Sequence, residues 1–258
     1  MKKIYFSICI YCIISMLISY YLYYSEKYLN KKNPTIFCLI ITTADNLNSH
    51  AEQIYDSWAH KCDQHRFITL IPGNNKSEIW EEKYKNKLNL LKPDGFIIDK
   101  YNLLSHKVFR MFMDVYKYYN RYDWYLKADD DTFIFYDNLK KFLADKNSSE
   151  AITFGRDFHM AGGYHSGGAG YLLSNEALKR MASKLIQNYT SCSISGFEDV
   201  DVGNCWRSAN VTWSKSLDEF NKERFFPQPI LHFYFGLKDI DWLHSYGANK
   251  LFRVSIYI

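Results

Sequence analysis

The segment Trp-Tyr-Leu-Lys-Ala-Asp-Asp-Asp-Thr, residues 124–132, constrains the fold of this chain more than any other. A short apolar run reads as a strand, and it ends abruptly in three carboxylates, Asp129, Asp130 and Asp131. In open α/β sheets, ligands bind beyond the carboxyl ends of the strands. Two aspartates one residue apart can aim both carboxylates at one hard cation. Mg²⁺ or Mn²⁺ held in that way bridges a diphosphate and offsets its charge. The plainer alternative is a solvated acidic loop. A bare Asp-x-Asp is common, so its weight depends on the surrounding elements. An EF-hand loop is excluded, because the glycine and later glutamate are out of place.

The flanking sequence supplies a sheet for that strand. After Pro34, residues 36–43 form a β-branched run that reads as a buried strand. Asn48 and Ser49 are the expected caps of a helix running to about Cys62. Residues 66–71 read as the next strand, closed by Pro72-Gly73, and residues 96–98 as a short third strand. Leu104, Val108, Met111, Phe112, Val115 and Tyr119 recur at helical spacing, predicting a helix over 103–119. Further strands are expected at 124–128, 151–154 and 171–173, with helices at 138–144 and 175–187. Strands alternating with helices predict an α/β fold: a Rossmann-like, mostly parallel sheet with helices on both faces.

A second acidic cluster, Phe-Glu-Asp-Val-Asp-Val-Gly at 197–203, lies between Cys192 and Cys205. One of its carboxylates is suited to act as general base toward a sugar hydroxyl. The alternative is an acidic helix start that complements the helix dipole. Gly162-Gly163 and Ser166-Gly-Gly-Ala-Gly170 form a glycine-rich stretch without the Walker pattern. Glycines here let the backbone approach a sugar or diphosphate closely, or simply make turns.

Residues 4–24 are uncharged and mostly apolar, long enough to cross a bilayer as a helix, with tyrosines clustered at the far end. The expected organisation is a cytosolic tail over 1–3, a signal anchor over 4–24, a stem over 25–34 and a lumenal domain over 35–258. The first 32 residues hold Lys2, Lys3, Lys27, Lys31 and Lys32 against Glu26 alone, which leaves 27 basic and 27 acidic residues beyond them. A nucleic-acid-binding domain usually carries a basic excess, so no nucleic acid partner is expected. N-x-S/T sequons start at Asn75, Asn147, Asn188 and Asn210. Cys38, Cys62, Cys192 and Cys205 lie outside the apolar span, an even number suited to two disulfides in an oxidising compartment. Four buried thiols are the alternative.

Taken in order, these segments resemble the core 1 β1,3-galactosyltransferases, fringe-related inverting enzymes. The likeness runs from about Ile36 to Phe226. It rests on Cys38, Ser57-Trp58 and Cys62; Leu-Lys-Ala-Asp-Asp-Asp-Thr at 126–132; and Phe154-Gly-Arg156. It continues through Ser-Gly-Gly-Ala-Gly-Tyr-Leu-Leu-Ser at 166–174, Glu-Ala-Leu-Lys-Arg at 176–180, and Glu198-Asp199 with Gly203 and Cys205. The resemblance implies a GT-A glycosyltransferase fold, a UDP-galactose donor, Mn²⁺ and a single-pass type II protein of the Golgi membrane. The implied acceptor is N-acetylgalactosamine (GalNAc) on Ser/Thr of glycoproteins. Asp129 and Asp131 match the metal motif, and Asp199 the catalytic base. Asp130, Lys107, Gly167 and Gly168 are the expected donor-binding residues. The expected pairings are Cys38 with Cys62 and Cys192 with Cys205. A homodimer is one option for its assembly.

The resemblance fades beyond Phe226. The family has an aromatic acceptor-binding segment there and a late histidine that completes the metal site. This sequence offers His232, Trp242, His244 and Tyr246 before Ile258, so a third metal ligand is left open between His232, His244 and none. The shortened end implies weaker transfer than in longer relatives. A non-catalytic, chaperone-like relative of the same fold is the alternative. The family's chaperone branch lacks the Asp-x-Asp motif that this chain keeps.

Overall fold

In the computed structural model, which describes residues 13–20, 33–70, 84, 87–221 and 223–225, strand β1 (Ile36–Ile41) is buried along its whole length. Side chains alternate across a strand. Ile36, Cys38 and Ile40 therefore enter one apolar cluster, while Phe37, Leu39 and Ile41 enter another on the opposite face. An unbroken apolar run of this kind suits a central strand covered on both faces.

The other strands are β2 (Gln64–Ile68), β3 (Leu90–Leu91), β4 (Trp124–Asp129), β5 (Ile152–Gly155), β6 (Asp157–Phe158), β7 (Tyr164–His165), β8 (Tyr171–Ser174) and β9 (Thr212–Ser214). Seven of them form one sheet in the order β3-β2-β1-β4-β8-β5-β9, and β6 and β7 pair separately. The pairs β1–β2, β1–β4, β2–β3 and β5–β9 are parallel, whereas β8 runs antiparallel to both β4 and β5. The mostly parallel α/β expectation holds.

Helices cover both faces. α1 (Glu52–Ser57) and α3 (Tyr136–Leu143) contribute Ile54, Tyr136, Leu139 and Leu143 to the cluster that holds Trp58, Trp124 and Leu126. On the other face, α2 (Leu104–Tyr119), α4 (Asn175–Gln187) and α5 (Glu198–Ser208) supply Val108, Phe112, Val115, Leu178, Met181, Val202 and Trp206. The Ser174 side chain caps α4 by accepting from Ala177 N at 3.0 Å, a satisfied donor that fixes where β8 becomes helix.

Three local expectations are corrected. Residues 96–98 form no strand: the chain turns at Pro93, with Phe96 N donating to Pro93 O at 3.1 Å. Phe96 is buried, but Ile97 and Ile98 point outward, and the edge strand is instead β3, pairing Phe67 with Leu90. Asn48 and Ser49 do not start the first helix. Helical backbone begins at Ala44–Asn46, continues through a wide turn at Leu47–Ala51 into α1, and ends at Ala59–Lys61. The second strand also begins earlier than the 66–71 expectation, at Gln64.

Both expected disulfides are present, Cys38–Cys62 and Cys192–Cys205. Within the apolar N-terminal stretch, residues 13–20 are helical with Ile13, Met16, Leu17 and Ile18 exposed. No described helix is long and apolar enough to cross a membrane, and the remainder of the 4–24 span and most of the stem lie outside the described residues. Asn147, Asn188 and Asn210 are exposed, while Asn75 lies outside the described residues.

Candidate active site

Strands β1 and β4 run parallel with Ile41 opposite Asp129, so both end at the same edge of the sheet. The acidic triplet emerges at that edge. Its turn is closed by Thr132: the backbone N of Thr132 donates to Asp129 O at 3.1 Å, and Asp129 N donates to Thr132 Oγ1 at 3.0 Å. The Trp58 indole holds the same turn by donating to Thr132 O at 3.0 Å. This places Ser57-Trp58 and the aspartate motif in one structural unit, across 74 residues of sequence.

The three aspartates have different surroundings. Asp130 accepts from Thr42 Oγ1 at 2.6 Å and Asn46 Nδ2 at 2.9 Å, fastening the motif to the end of β1 and the turn after it. Asp131 is exposed, and its carboxyl is pushed up by partial desolvation and then by the negative charge of Asp129 and Asp130. Asp129 is half-buried, and its Oδ1 accepts from Lys127 Nζ at 2.7 Å.

Lys127 had no role assigned from sequence. Alternation on β4 sends Trp124, Leu126 and Ala128 to the α1–α3 face, and Tyr125, Lys127 and Asp129 to the other. The Lys127 side chain is fully buried. Its Nζ reaches Asp129, Gly167 O at 3.3 Å and Glu198 Oε2 at 3.4 Å. Burial penalises the ammonium, yet Asp129 and Glu198 beside it hold its pKa above the ordinary lysine range. Glu198 is buried too, and its Oε1 accepts from Tyr171 Oη at 2.6 Å. Burial pushes the Glu198 carboxyl up, with Lys127 pulling against it. The signal for Lys127 in the sequence was a charge flanked by Leu126 and Ala128 in an otherwise apolar strand.

The second acidic cluster meets the first through this lysine. α5 begins at Glu198, so Asp199 stands in its first turn, where the helix dipole favours a carboxylate. Asp199 is half-buried. Its Oδ1 accepts from Val200 N at 2.9 Å, and its Oδ2 lies 3.4 Å from Gly167 N. Negative charge on Asp199 adds to the burial that raises the neighbouring Tyr164 hydroxyl. Asp201 is different again: fully buried, it accepts from Ser105 Oγ at 2.6 Å, Ser195 N at 2.8 Å and Ser195 Oγ at 2.6 Å, which anchors the loop before α5 to α2.

The glycine stretch lines the junction. A Cβ on Gly167 would stand 2.8 Å from Glu198 Oε2 and 3.5 Å from Asp199 Cβ. Gly168 O accepts from Thr132 Oγ1 at 3.0 Å. Gly170, at φ +74°, would bring a Cβ within 3.1 Å of Lys127 O. Lys107 is buried beneath the end of β1, donating to Thr42 O at 2.6 Å and Asp99 Oδ2 at 2.7 Å. Burial pulls its pKa down, while Asp99, Asp130 and Asp129 act in the opposite direction.

The structure thus brings together Asp129, Asp130, Asp131, Gly167, Gly168 and Asp199, with Lys107 behind the motif. His232, His244, Trp242 and Tyr246 lie outside the described residues. Among the described residues, no group of three or more His, Cys, Asp or Glu side chains is arranged to hold a metal. The donor chemistry nonetheless suits a hard divalent cation. Asp129 and Asp131 would offer carboxylate oxygens, and a cation there would offset the charge of neighbouring aspartates. Two carboxylates alone would leave most coordination positions of such a cation open.

Residues 96–163, which carry Lys107 and the aspartate triplet, match the family model described as Galactosyltransferase. Over 204 residues the chain is 34% identical to glycoprotein-N-acetylgalactosamine 3-beta-galactosyltransferase 1 of Xenopus laevis, covering 78% of this chain and 52% of that protein. The chain is similar to galactosyltransferases. It is also 30% identical over 127 residues to chondroitin sulfate synthase 3 of Homo sapiens, covering 42% of this chain and 14% of that one. The chain thus spans about half the length, or less, of these curated relatives. A solved glycosyltransferase involved in glycosylation of the major capsid of PBCV-1 aligns with TM-score 0.41 and 10% identity, over 70% of this chain and 81% of that one. The galactosyltransferase-like segment ends before Glu198 and Asp199.

Proposed function

We propose that this chain transfers galactose from UDP-galactose in β1,3 linkage to GalNAc on Ser/Thr of glycoproteins. It would do so as a type II Golgi membrane protein with a GT-A fold. The observation that carries the reading is the junction at Lys127. It joins the strand-end aspartates to the acidic start of α5, in a chain 34% identical to a GalNAc 3-β-galactosyltransferase. The two disulfides support an oxidising, lumenal setting.

In the proposed reaction, Asp199 takes the proton of the GalNAc 3-hydroxyl as that oxygen attacks the anomeric carbon of galactose. The bond from that carbon to the UDP oxygen breaks, and UDP departs with the electron pair. Attack opposite the leaving group turns an α-linked donor into a β-linked product. Asp129 and Asp131 would hold a divalent cation, Mn²⁺ in this reading, which when bound supplies positive charge to the departing diphosphate. The Gly167–Gly168 backbone and Lys107 shape the donor side. Asp199 suits the base role better than Glu198, because Glu198 is buried with its two oxygens held by Lys127 and Tyr171, whereas Asp199 is half-buried.

Transfer from UDP-galactose to a GalNAc-Ser/Thr peptide, measured on the full chain in detergent with Mn²⁺, tests the roles. Asp199→Asn is expected to lower transfer by about 10²–10⁴-fold, the range of general base catalysis, while sparing UDP binding. Glu198→Gln is expected to do less harm. The reverse order would overturn the assignment within the acidic pair. Donor binding without any transfer would favour the binding-only relative.

A further inference from the structure

We propose that Lys127 is a positioning residue that aims Asp129 at its cation and, through Glu198, ties that aim to the helix carrying Asp199. This rests on the proposed function, and it adds a member that the sequence pattern did not assign.

The argument starts from burial. A fully buried ammonium requires partners, and Lys127 finds two carboxylates and a carbonyl: Asp129, Glu198 and Gly167 O. Those partners come from three separate segments: the end of β4, the start of α5 and the glycine loop between β7 and β8. Each is a candidate functional segment in its own right. Among the described residues, Lys127 is the side chain that hydrogen-bonds to all three.

The atoms matter. Lys127 takes Asp129 Oδ1, and among the described residues Oδ2 has no hydrogen-bond partner, so Oδ2 is the oxygen left to face a cation. Fixing one carboxylate oxygen fixes the rotamer that presents the other, which is how outer partners orient metal ligands. On its other side Lys127 meets Glu198 Oε2, whose second oxygen is held by Tyr171. Glu198 is adjacent to Asp199 in the first turn of α5. A shift of Asp129 therefore pulls on the residue next to the base. Gly167 completes the contact, since any side chain there would meet Glu198 Oε2 at 2.8 Å and push α5 away.

A purely structural lysine would do something simpler, namely offset the charge of Glu198. The two roles separate in a double variant. Calorimetry of Mn²⁺–UDP binding to the full chain in detergent is the main readout, with transfer rate and thermal unfolding beside it. Lys127→Met is expected to weaken Mn²⁺–UDP binding by about 10–100-fold, the usual cost of losing an outer-shell partner. Lys127→Met/Glu198→Gln removes both buried charges and is expected to recover the unfolding temperature without recovering that affinity. Lys127→Arg keeps the charge but not the compact geometry, and is expected to recover less than a tenth of the loss in transfer. Glu198→Gln alone is expected to leave Mn²⁺–UDP affinity within about twofold while lowering kcat, a split that also serves if Lys127→Met does not fold. A folded double variant that binds Mn²⁺–UDP like the wild type would overturn the proposal, as would wild type that binds no Mn²⁺–UDP. Normal binding behaviour with no transfer to any GalNAc peptide would instead overturn the proposed reaction and leave this inference standing.

Discussion

At the scale of single residues, neighbouring acids of one type end in different chemical states because their partners differ. Asp130 gives its Oδ2 to Thr42 and Asn46, Asp129 gives its Oδ1 to Lys127, and Asp131 is exposed. Asp131→Asn is therefore expected to weaken Mn²⁺–UDP binding with little change in unfolding temperature, since an exposed side chain contributes little to the core. Calorimetry checks it, and unchanged affinity would contradict the metal assignment. Asp63 presents the opposite case. It accepts from Ile36 N at 2.8 Å, from Tyr136 Oη at 3.0 Å and pairs with Lys140 Nζ at 2.8 Å. Burial raises its pKa, but Lys140 and these donors outweigh it and hold the carboxyl below its ordinary value of 3.8. A depressed folded-state pKa gives stability that is present above the unfolded value and is lost as pH falls through the folded one. Asp63→Asn is thus expected to destabilise at neutral pH, by about 1–3 kcal/mol for lost charged hydrogen bonds. The gap to wild type should close as urea titrations are repeated at pH below about 4.

At the scale of elements, α5 carries the base and is held by close backbone approach as well as by the Cys192–Cys205 bridge. A Cβ on Gly203 would come within 2.7 Å of Tyr164 Cβ and 3.0 Å of Gly163 O. Gly203→Ala is expected to cost about 1–3 kcal/mol, the range for overpacking, and to lower transfer more than donor binding because the helix is displaced. Urea unfolding with donor calorimetry reads both. The elements themselves were unevenly legible in the sequence. β1 declared itself by a largely β-branched run, β4 by a short apolar run stopped at three carboxylates, and α2 by apolar residues at helical spacing. β3 did not, because a two-residue edge strand has no period to read. The 96–98 run misled because its apolar side chains sit beyond a turn at Pro93, where no neighbouring strand is available. In the site, the carboxylates were legible as a dense cluster at a strand end. The part played by Lys127 was not, since its meaning depends on Glu198, 71 residues away.

At the scale of the whole molecule, a largely parallel sheet brings the strand ends, the glycine loop and the start of α5 to one edge, while helices seal both faces. Cys38–Cys62 closes a separation of 24 residues between β1 and the end of the first helical stretch. Replacing both cysteines by alanine is expected to cost about 3 kcal/mol in urea unfolding, the usual value for a loop of that order. The account stands or falls on the reaction. Full-length chain in detergent, given UDP-galactose, Mn²⁺ and a GalNAc-Ser/Thr peptide, should yield one product whose new linkage can be read by nuclear magnetic resonance. The predicted result is galactose joined β1,3 to GalNAc, formed at a rate that collapses when Asp199→Asn replaces the wild type. An α-linked sugar, another linkage position, or a product rate indifferent to Asp199 would contradict it.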